Sequence, residues 1–178
     1  MQQGDGALNR EFISCLTLNP AIDRTIIIDD FALEKVNYVK EETVTAGSKG
    51  VNVAKMLAVC GVNSLCFGLL GGENGAFIDE QIKKFGVVSD FIEVNYAVRT
   101  NLKVVDLKNT TCTDINFEGG APNSAVIKEL LHKASKVSEN SRIVVIGGSL
   151  PPGVSDDLYC QLLLIGELGL LSTVQSLL

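Results

Sequence analysis

The sequence predicts an α/β protein: a mainly parallel sheet covered on both faces by helices, with a small separate β-sheet attached as a lid. Three observations carry this expectation. Short β-branched runs alternate with amphipathic helical stripes along most of the chain, the rhythm of strands joined by helical crossovers. The 17 glycines against 4 prolines place tight turns between regular elements rather than a disordered linker. Two strand-rich stretches, residues 24–45 and 97–118, break the alternation and fit a second sheet. With 178 residues and 46% hydrophobic content, the chain can core one domain but not two large ones.

Each element has its own signal. Phe12 to Leu18 (FISCLTL) is a short apolar run that fits a buried strand, and Arg24 to Asp30 (RTIIIDD) is a β-branched strand ending in two carboxylates. Val36 to Thr45 mixes β formers with charge, as a strand with one wet face does. Val51 to Cys60 places apolar residues at 53, 54, 57 and 58 before Gly61, predicting a helix with a glycine stop. Ser64 to Leu70 reads as a strand, and Ala76 to Phe85 as a helix closed by Gly86. Thr100 to Leu107 and Thr111 to Phe117 flank Lys108-Asn109-Thr110, a hairpin pattern. Asn123 to Val137 carries apolar positions at 126, 127, 130, 131, 134 and 137 behind a polar cap, which is a helical stripe. Arg142 to Ile146 is an apolar strand, Pro151-Pro152 forces a turn, and Ser155 reads as the N-cap of a last helix. Met56, Phe67, Phe77 and Phe85 fall on core stripes, and His132 reads as a solvated or packed side chain.

Composition excludes some functions. The net charge of −6 and the absence of a dense Lys/Arg run argue against a nucleic-acid surface, because such affinity rests on neutralising phosphates. A small phosphorylated ligand needs only two or three local basic groups. The five cysteines show no metal-ligand spacing and sit mostly among apolar neighbours, so reduced, buried thiols in a cytoplasmic protein are expected. No apolar run approaches the ~20 residues that cross a bilayer, and no membrane partner is expected. Residues 1–11 form a polar leader, expected to be disordered, with no apolar core of a signal peptide.

The chemistry sits in loops. Ala46-Gly47-Ser48-Lys49-Gly50-Val51-Asn52 joins a strand to a helix, where small residues let a ligand approach backbone N–H groups. It matches neither a Walker A loop nor a dinucleotide fingerprint, and glycine content alone leaves a ligand loop and an ordinary tight turn both open. Asn19-Pro20-Ala21-Ile22-Asp23 and Gly147-Gly148-Ser149-Leu150-Pro151-Pro152-Gly153 each follow a strand, at the end where open α/β sheets bind ligands. Arg99-Thr100-Asn101 opens the second lid segment. Taken singly, Asp23 reads as a turn-former, Arg99 as a surface residue and Ser149 as a turn hydroxyl. Together and in order, TLNPAID, AGSKGVN, RTN and GGSLPPG resemble the ribokinase-like (PfkB) carbohydrate kinases over about Thr17 to Leu163.

The resemblance implies the N-terminal part, residues 12–163, of a three-layer αβα kinase domain. It also implies ATP-dependent phosphorylation of a ketohexose phosphate, with ATP and Mg2+ as cofactors. Fructose 1-phosphate is the first expected acceptor and tagatose 6-phosphate the alternative. By the same resemblance, Asp23 accepts hydrogen bonds from sugar hydroxyls, while Gly47, Lys49, Gly50 and Asn52 line the sugar pocket. Arg99 grips the substrate phosphate, for which a forked guanidinium is suited, and Ser149 touches the sugar from the pocket floor. The lid is implied to pair between subunits as a homodimer. Ser48 stands where many relatives have a second glycine, predicting a stiffer or shifted loop. The family's GAGD segment, whose Asp is the general base, is absent from these 178 residues. The resemblance therefore implies a C-terminally truncated kinase, with no catalytic residue in this chain and an atypical apolar tail at 164–178. A non-catalytic sugar-phosphate-binding or dimerising fragment is the competing expectation.

Overall fold

The computed structural model describes residues 12–166 and 171–173. Strands β1 (Phe12–Thr17), β4 (Ser64–Leu70), β5 (Val88–Glu93), β8 (Ser141–Ile146) and β9 (Leu171–Thr173) form one sheet in the order β5-β4-β1-β8-β9, every neighbouring pair parallel. Strands β2 (Ala21–Ile28), β3 (Glu41–Gly47), β6 (Arg99–Asp106) and β7 (Thr111–Asn116) form a second sheet, ordered β3-β2-β6-β7. Helices α1 (Lys49–Val59), α2 (Gly72–Lys84), α3 (Ser124–Glu139) and α4 (Asp157–Gly166) connect the strands of the first sheet. The fold class is therefore the expected one: a parallel core sheet between helical layers, with a smaller second sheet.

Side-chain alternation along the strands assigns the two layers. Leu16 and Phe67 bury against Leu130, Ala134 and Val137 of α3 and Leu158 and Leu162 of α4. Cys15 and Cys66 face the other way, against Val51 and Ala54 of α1 and Ile78 and Ile82 of α2. Leu16, Phe67, Ile78, Ile82 and Leu130 are fully enclosed, and each such side chain contributes about 1.5–3 kcal/mol of burial. Asn123 caps α3 as its sequence predicts, accepting from the N–H groups of Ala125 (2.9 Å) and Val126 (3.0 Å). Gly61 and Gly86 close α1 and α2 with φ of 75° and 79°, which returns the following backbone N–H groups to the last helical carbonyls. Ser155 accepts from the Asp157 N–H at 3.3 Å, capping the turn that enters α4.

Asp106 organises the far corner of the small sheet. Its nearly inaccessible carboxylate accepts from the Asn109 side chain (2.8 Å) and from the N–H groups of Phe31 (2.8 Å), Lys108 (3.0 Å), Asp30 (3.1 Å) and Asn109 (3.2 Å). These donors, the Asn109 amide foremost, hold its pKa down to about 2. The surface ion pairs of this sheet, Arg24–Glu42, Lys103–Asp114 and Lys108–Asp30, are exposed and contribute little.

Several sequence expectations are corrected. β2 begins at Ala21 rather than Arg24, because Ala21 and Ile22 are buried and already pair with Gly47, Ala46, Arg99 and Thr100. Asp23 is thus a strand residue. The strand expected over 36–45 is confined to Glu41–Gly47; Asp30 and Glu34 adopt φ of 60°, and Asn37 bonds back to Ala32, which coils the intervening segment. α1 and α2 start earlier than expected, at Lys49 and Gly72, and in α1 the first turn already buries Gly50 and Val51. β5 was not expected: VSDFIE has mixed polarity because it is an edge strand bonded only to β4. Met56 and Phe85 are exposed (63% and 48%), not core, and Phe85 instead lies 5.9 Å from the Lys55 ammonium. Of the cysteines, Cys15 and Cys66 are buried, whereas Cys60, Cys112 and Cys160 are exposed, so apolar neighbours in sequence did not mean burial.

Regular structure continues past residue 164. α4 runs on to Gly166, and β9 pairs in parallel with β8, Val144 to Ile146 opposite Leu171 to Thr173. An apolar tail meets the open edge of β8, which offers its backbone groups a ladder. The leader at residues 1–11 and the remainder of the tail lie outside the described residues. Among the described residues no helix is long and apolar enough to cross a membrane.

Candidate functional site

A cleft of ≈ 490 Å³ opens where the small sheet meets the C-terminal ends of β1 and β8. Five separate segments contribute: Asn19, Ala21 and Asp23; Ser48, Lys49 and Asn52; Arg99 and Asn101; Asn116; and Gly148 with Ser149. Strand pairing brings the first three together, since β2 aligns Ala21 with Gly47 and Arg99, and Asp23 with Thr45 and Asn101. Residues remote in sequence therefore reach one cavity through backbone ladders, which hold their side chains in register.

Asp23 is the single carboxylate of the cleft lining among the described residues. Asn101 donates from Nδ2 to its Oδ1 at 2.9 Å. Gly47 leaves room for the other oxygen, because a Cβ at that position would stand 2.0 Å from Asp23 Oδ2 and 2.4 Å from Cγ. Arg99 spans the opening: Nη1 donates to the Phe117 carbonyl (2.8 Å) and Nη2 to Ser149 Oγ (3.2 Å). Its Nε and the Oδ1 of Asn101 are both buried without a hydrogen-bond partner. An orphaned donor and an orphaned acceptor in one cleft are expensive unless a ligand completes them.

Asn19 ties the loops, donating from Nδ2 to the carbonyls of Glu118 (3.0 Å) and Leu150 (3.2 Å). Tyr159 of α4 fixes the Gly147-Gly148 turn by donating to the Gly148 carbonyl at 2.7 Å. Lys55 of α1 stands behind the cleft, donating to the Ala46 carbonyl at 2.9 Å. Burial lowers the pKa of both Lys55 and Arg99, and the Asp23 carboxylate opposes that shift in each. One anionic oxygen pair thus sits among partly desolvated cations, where charged hydrogen bonds are stronger than in water.

Ser48 occupies the N-cap position of α1 with φ 123° and ψ 149°, and its side chain makes no capping bond. That region is sterically open to glycine and strains other residues by roughly 1–3 kcal/mol. The serine thus holds a backbone conformation that favours glycine.

Among the residues picked out from sequence, Asp23, Lys49, Asn52, Arg99 and Ser149 all line the cleft. Gly47 and Gly50 do not. Gly47 backs the Asp23 carboxylate, and a Cβ on Gly50 would meet Thr17 Oγ1 at 2.3 Å and the Leu16 carbonyl at 2.5 Å. Gly50 therefore serves helix-on-strand packing. Asn101, Asn116, Asn19 and Lys55 escaped sequence reasoning as individual site residues. Asn19 and Asn101 lay inside quoted motifs, whereas Asn116 and Lys55 carried no local signal. His132 is exposed on α3, away from this cleft.

The chain is similar to known proteins over most of its length. The family model described as pfkB family carbohydrate kinase matches residues 16–175. The chain is 34% identical over 158 residues to a 1-phosphofructokinase of Rhodobacter capsulatus, covering 88% of this chain and 50% of that protein. It is 32% identical over 165 residues to a tagatose-6-phosphate kinase of Staphylococcus epidermidis, covering 92% and 53%. A crystal structure of a possible 1-phosphofructokinase from Thermotoga maritima superposes with a TM-score of 0.84 at 30% identity, over 93% of this chain and 54% of that one. The chain spans about half the length of the curated relatives it matches.

Proposed function

The chain belongs to the pfkB family of carbohydrate kinases, and from that premise we propose that its cleft is the acceptor site of an ATP-dependent ketohexose-phosphate kinase. The first acceptor in this proposal is fructose 1-phosphate, giving fructose 1,6-bisphosphate; tagatose 6-phosphate is the alternative. The carrying observation is the gathering of one carboxylate, Asp23, with Lys49, Arg99 and the four amide side chains of Asn19, Asn52, Asn101 and Asn116 at the mouth of the parallel sheet. An anionic polyol needs that mixture: cations for the phosphate and paired donors and acceptors for its hydroxyls.

In this reading Asp23, oriented by Asn101, accepts from a sugar hydroxyl. Asn52 both donates and accepts, and Ser149 contacts the sugar from the floor. Arg99 exchanges its contacts with Ser149 and Phe117 for the ligand phosphate, and its buried Nε gains a partner. Lys49 adds a second positive charge. ATP would supply the phosphoryl group, and Mg2+ its usual charge neutralisation. The cleft offers one carboxylate, and among the described residues no group of three His, Cys, Asp or Glu could hold a metal. The donor set fits a sugar phosphate, and no general base is assigned among the described residues.

A second reading is a non-catalytic sugar-phosphate-binding module. It is favoured by an acceptor cleft built wholly from residues 19–149. Calorimetry of the 178-residue protein with fructose 1-phosphate, tagatose 6-phosphate and ATP tests both. Binding of a sugar phosphate, weakened at least about tenfold by Arg99→Ala, supports the acceptor site. No heat with either sugar phosphate sinks it, and ATP turnover by this chain refutes the module.

For the surroundings, the proposal is a cytoplasmic protein that pairs with a second copy through the small sheet. Leu33, Tyr38 and Phe117 stand 81%, 80% and 59% exposed on that sheet and its loops. Burying such residues favours association. Sedimentation at micromolar concentration, compared with a Tyr38→Glu variant, checks it; a monomer in both removes the dimer.

A further inference from the structure

We propose that Ser48 is a specificity-determining residue of the cleft, its hydroxyl meeting a ketose hydroxyl beside the one that Asp23 takes. This rests on the acceptor-site reading and adds a contact that a glycine in the loop could not make. A serine at an N-cap ordinarily has extended backbone and turns its oxygen onto the N–H groups of the helix it starts. Ser48 does neither: φ is 123°, ψ is 149°, and no bond forms from its side chain to α1. Its backbone carbonyl still accepts from the Asn52 N–H at 2.9 Å, so the helix start is intact and the unusual conformation belongs to Ser48.

Ser48 instead lines the cleft as a half-buried residue, next to Gly47, where an added Cβ would meet the Asp23 carboxylate at 2.0 Å. Two residues of the same cleft carry hydrogen-bonding capacity that no protein group uses: Arg99 Nε, a buried donor, and Asn101 Oδ1, a buried acceptor. A hydroxyl can donate and accept at once, so Ser48 can bridge neighbouring sugar hydroxyls where Asp23 can only accept. The strain and the missing cap are the price of holding this oxygen in the cleft.

The test is a pair of variants of the 178-residue protein, titrated with fructose 1-phosphate and melted in parallel. Ser48→Ala keeps the strained backbone and removes only the hydroxyl, so binding should weaken about five- to tenfold with an unchanged melting temperature. Ser48→Gly should lose the same affinity while melting a few degrees higher, because glycine relieves the strain. Affinity and stability moving apart in this way is something a purely structural serine would not produce. Binding by Ser48→Ala equal to the parent overturns the role of Ser48 while leaving the acceptor site standing. Affinity loss that only accompanies a large fall in melting temperature also overturns it. A parent that does not bind the sugar phosphate overturns both readings.

Discussion

Gly47→Ala isolates the geometry on which the cleft depends. Gly47 has no positive φ, so an alanine there carries no backbone strain and acts only through its methyl group. That methyl would lie 2.0 Å from Asp23 Oδ2, 2.4 Å from Cγ and 2.8 Å from Oδ1, all inside van der Waals contact. With Cγ itself displaced, rotating the carboxyl group alone is insufficient, and Asp23 must change χ1. The change withdraws Oδ1 from Asn101 Nδ2, now 2.9 Å away, and breaks one hydrogen bond to a charged acceptor. Such a bond contributes about 1.5–3 kcal/mol, and about 2–4 °C accompanies each kcal/mol in a domain of this size. Gly47→Ala should therefore melt ~3–12 °C below the parent and lose at least about tenfold in affinity for the sugar phosphate. Differential scanning calorimetry and isothermal titration measure the two effects. A variant that melts within one degree or so of the parent and binds equally would show that Asp23 can move freely, refuting the argument that Gly47 fixes it.

Further expectations concern the loops, the lid corner and the thiols. Asn19→Ala removes the bonds to the Glu118 and Leu150 carbonyls, so amide hydrogen exchange over residues 117–120 and 148–152 should accelerate while exchange in β1 and β4 stays slow. Asp106 has a folded pKa of about 2 against about 3.9 for an unfolded aspartate. A depressed carboxyl pKa stabilises fully above the unfolded value and stops doing so as pH falls through the folded one. Acid melts from pH 5 to pH 2 should therefore show a steeper loss of stability in the parent than in Asp106→Asn, and parallel curves would contradict the assignment. Burial pushes the thiols of Cys15 and Cys66 up to about 12. An aromatic disulfide reagent at pH 8 should accordingly label only the three exposed cysteines of the native protein, Cys60, Cys112 and Cys160, and all five in guanidinium.

The alternation of strands and helices, the glycine stops at 61 and 86, the Asn123 cap and the hairpin at 107–110 were legible because each depends on neighbours within one or two turns. β5 was not, since an edge strand takes its pairing from β4 and needs no apolar alternation of its own. The start of β2 at Ala21 was hidden for the same reason: its partners Gly47 and Arg99 lie 26 and 78 positions away. Met56 and Phe85 misled because a helical stripe says which face is apolar, while only the packed neighbours decide how much of it is covered.

By itself the sequence determined the layer architecture and the family, through four short loops whose order and residue types resemble one kinase fold. It also supplied five of the side chains that line the cleft. The tertiary structure decided what each loop residue does: Gly47 and Gly50 serve close approach, Asn101 orients Asp23, and Asn116 joins from a strand with no motif. It alone placed Ser48 at φ 123°. The reason is physical: loops and caps are written in local dihedral preferences, whereas a cavity is a property of the contacts among segments that strand pairing brings together.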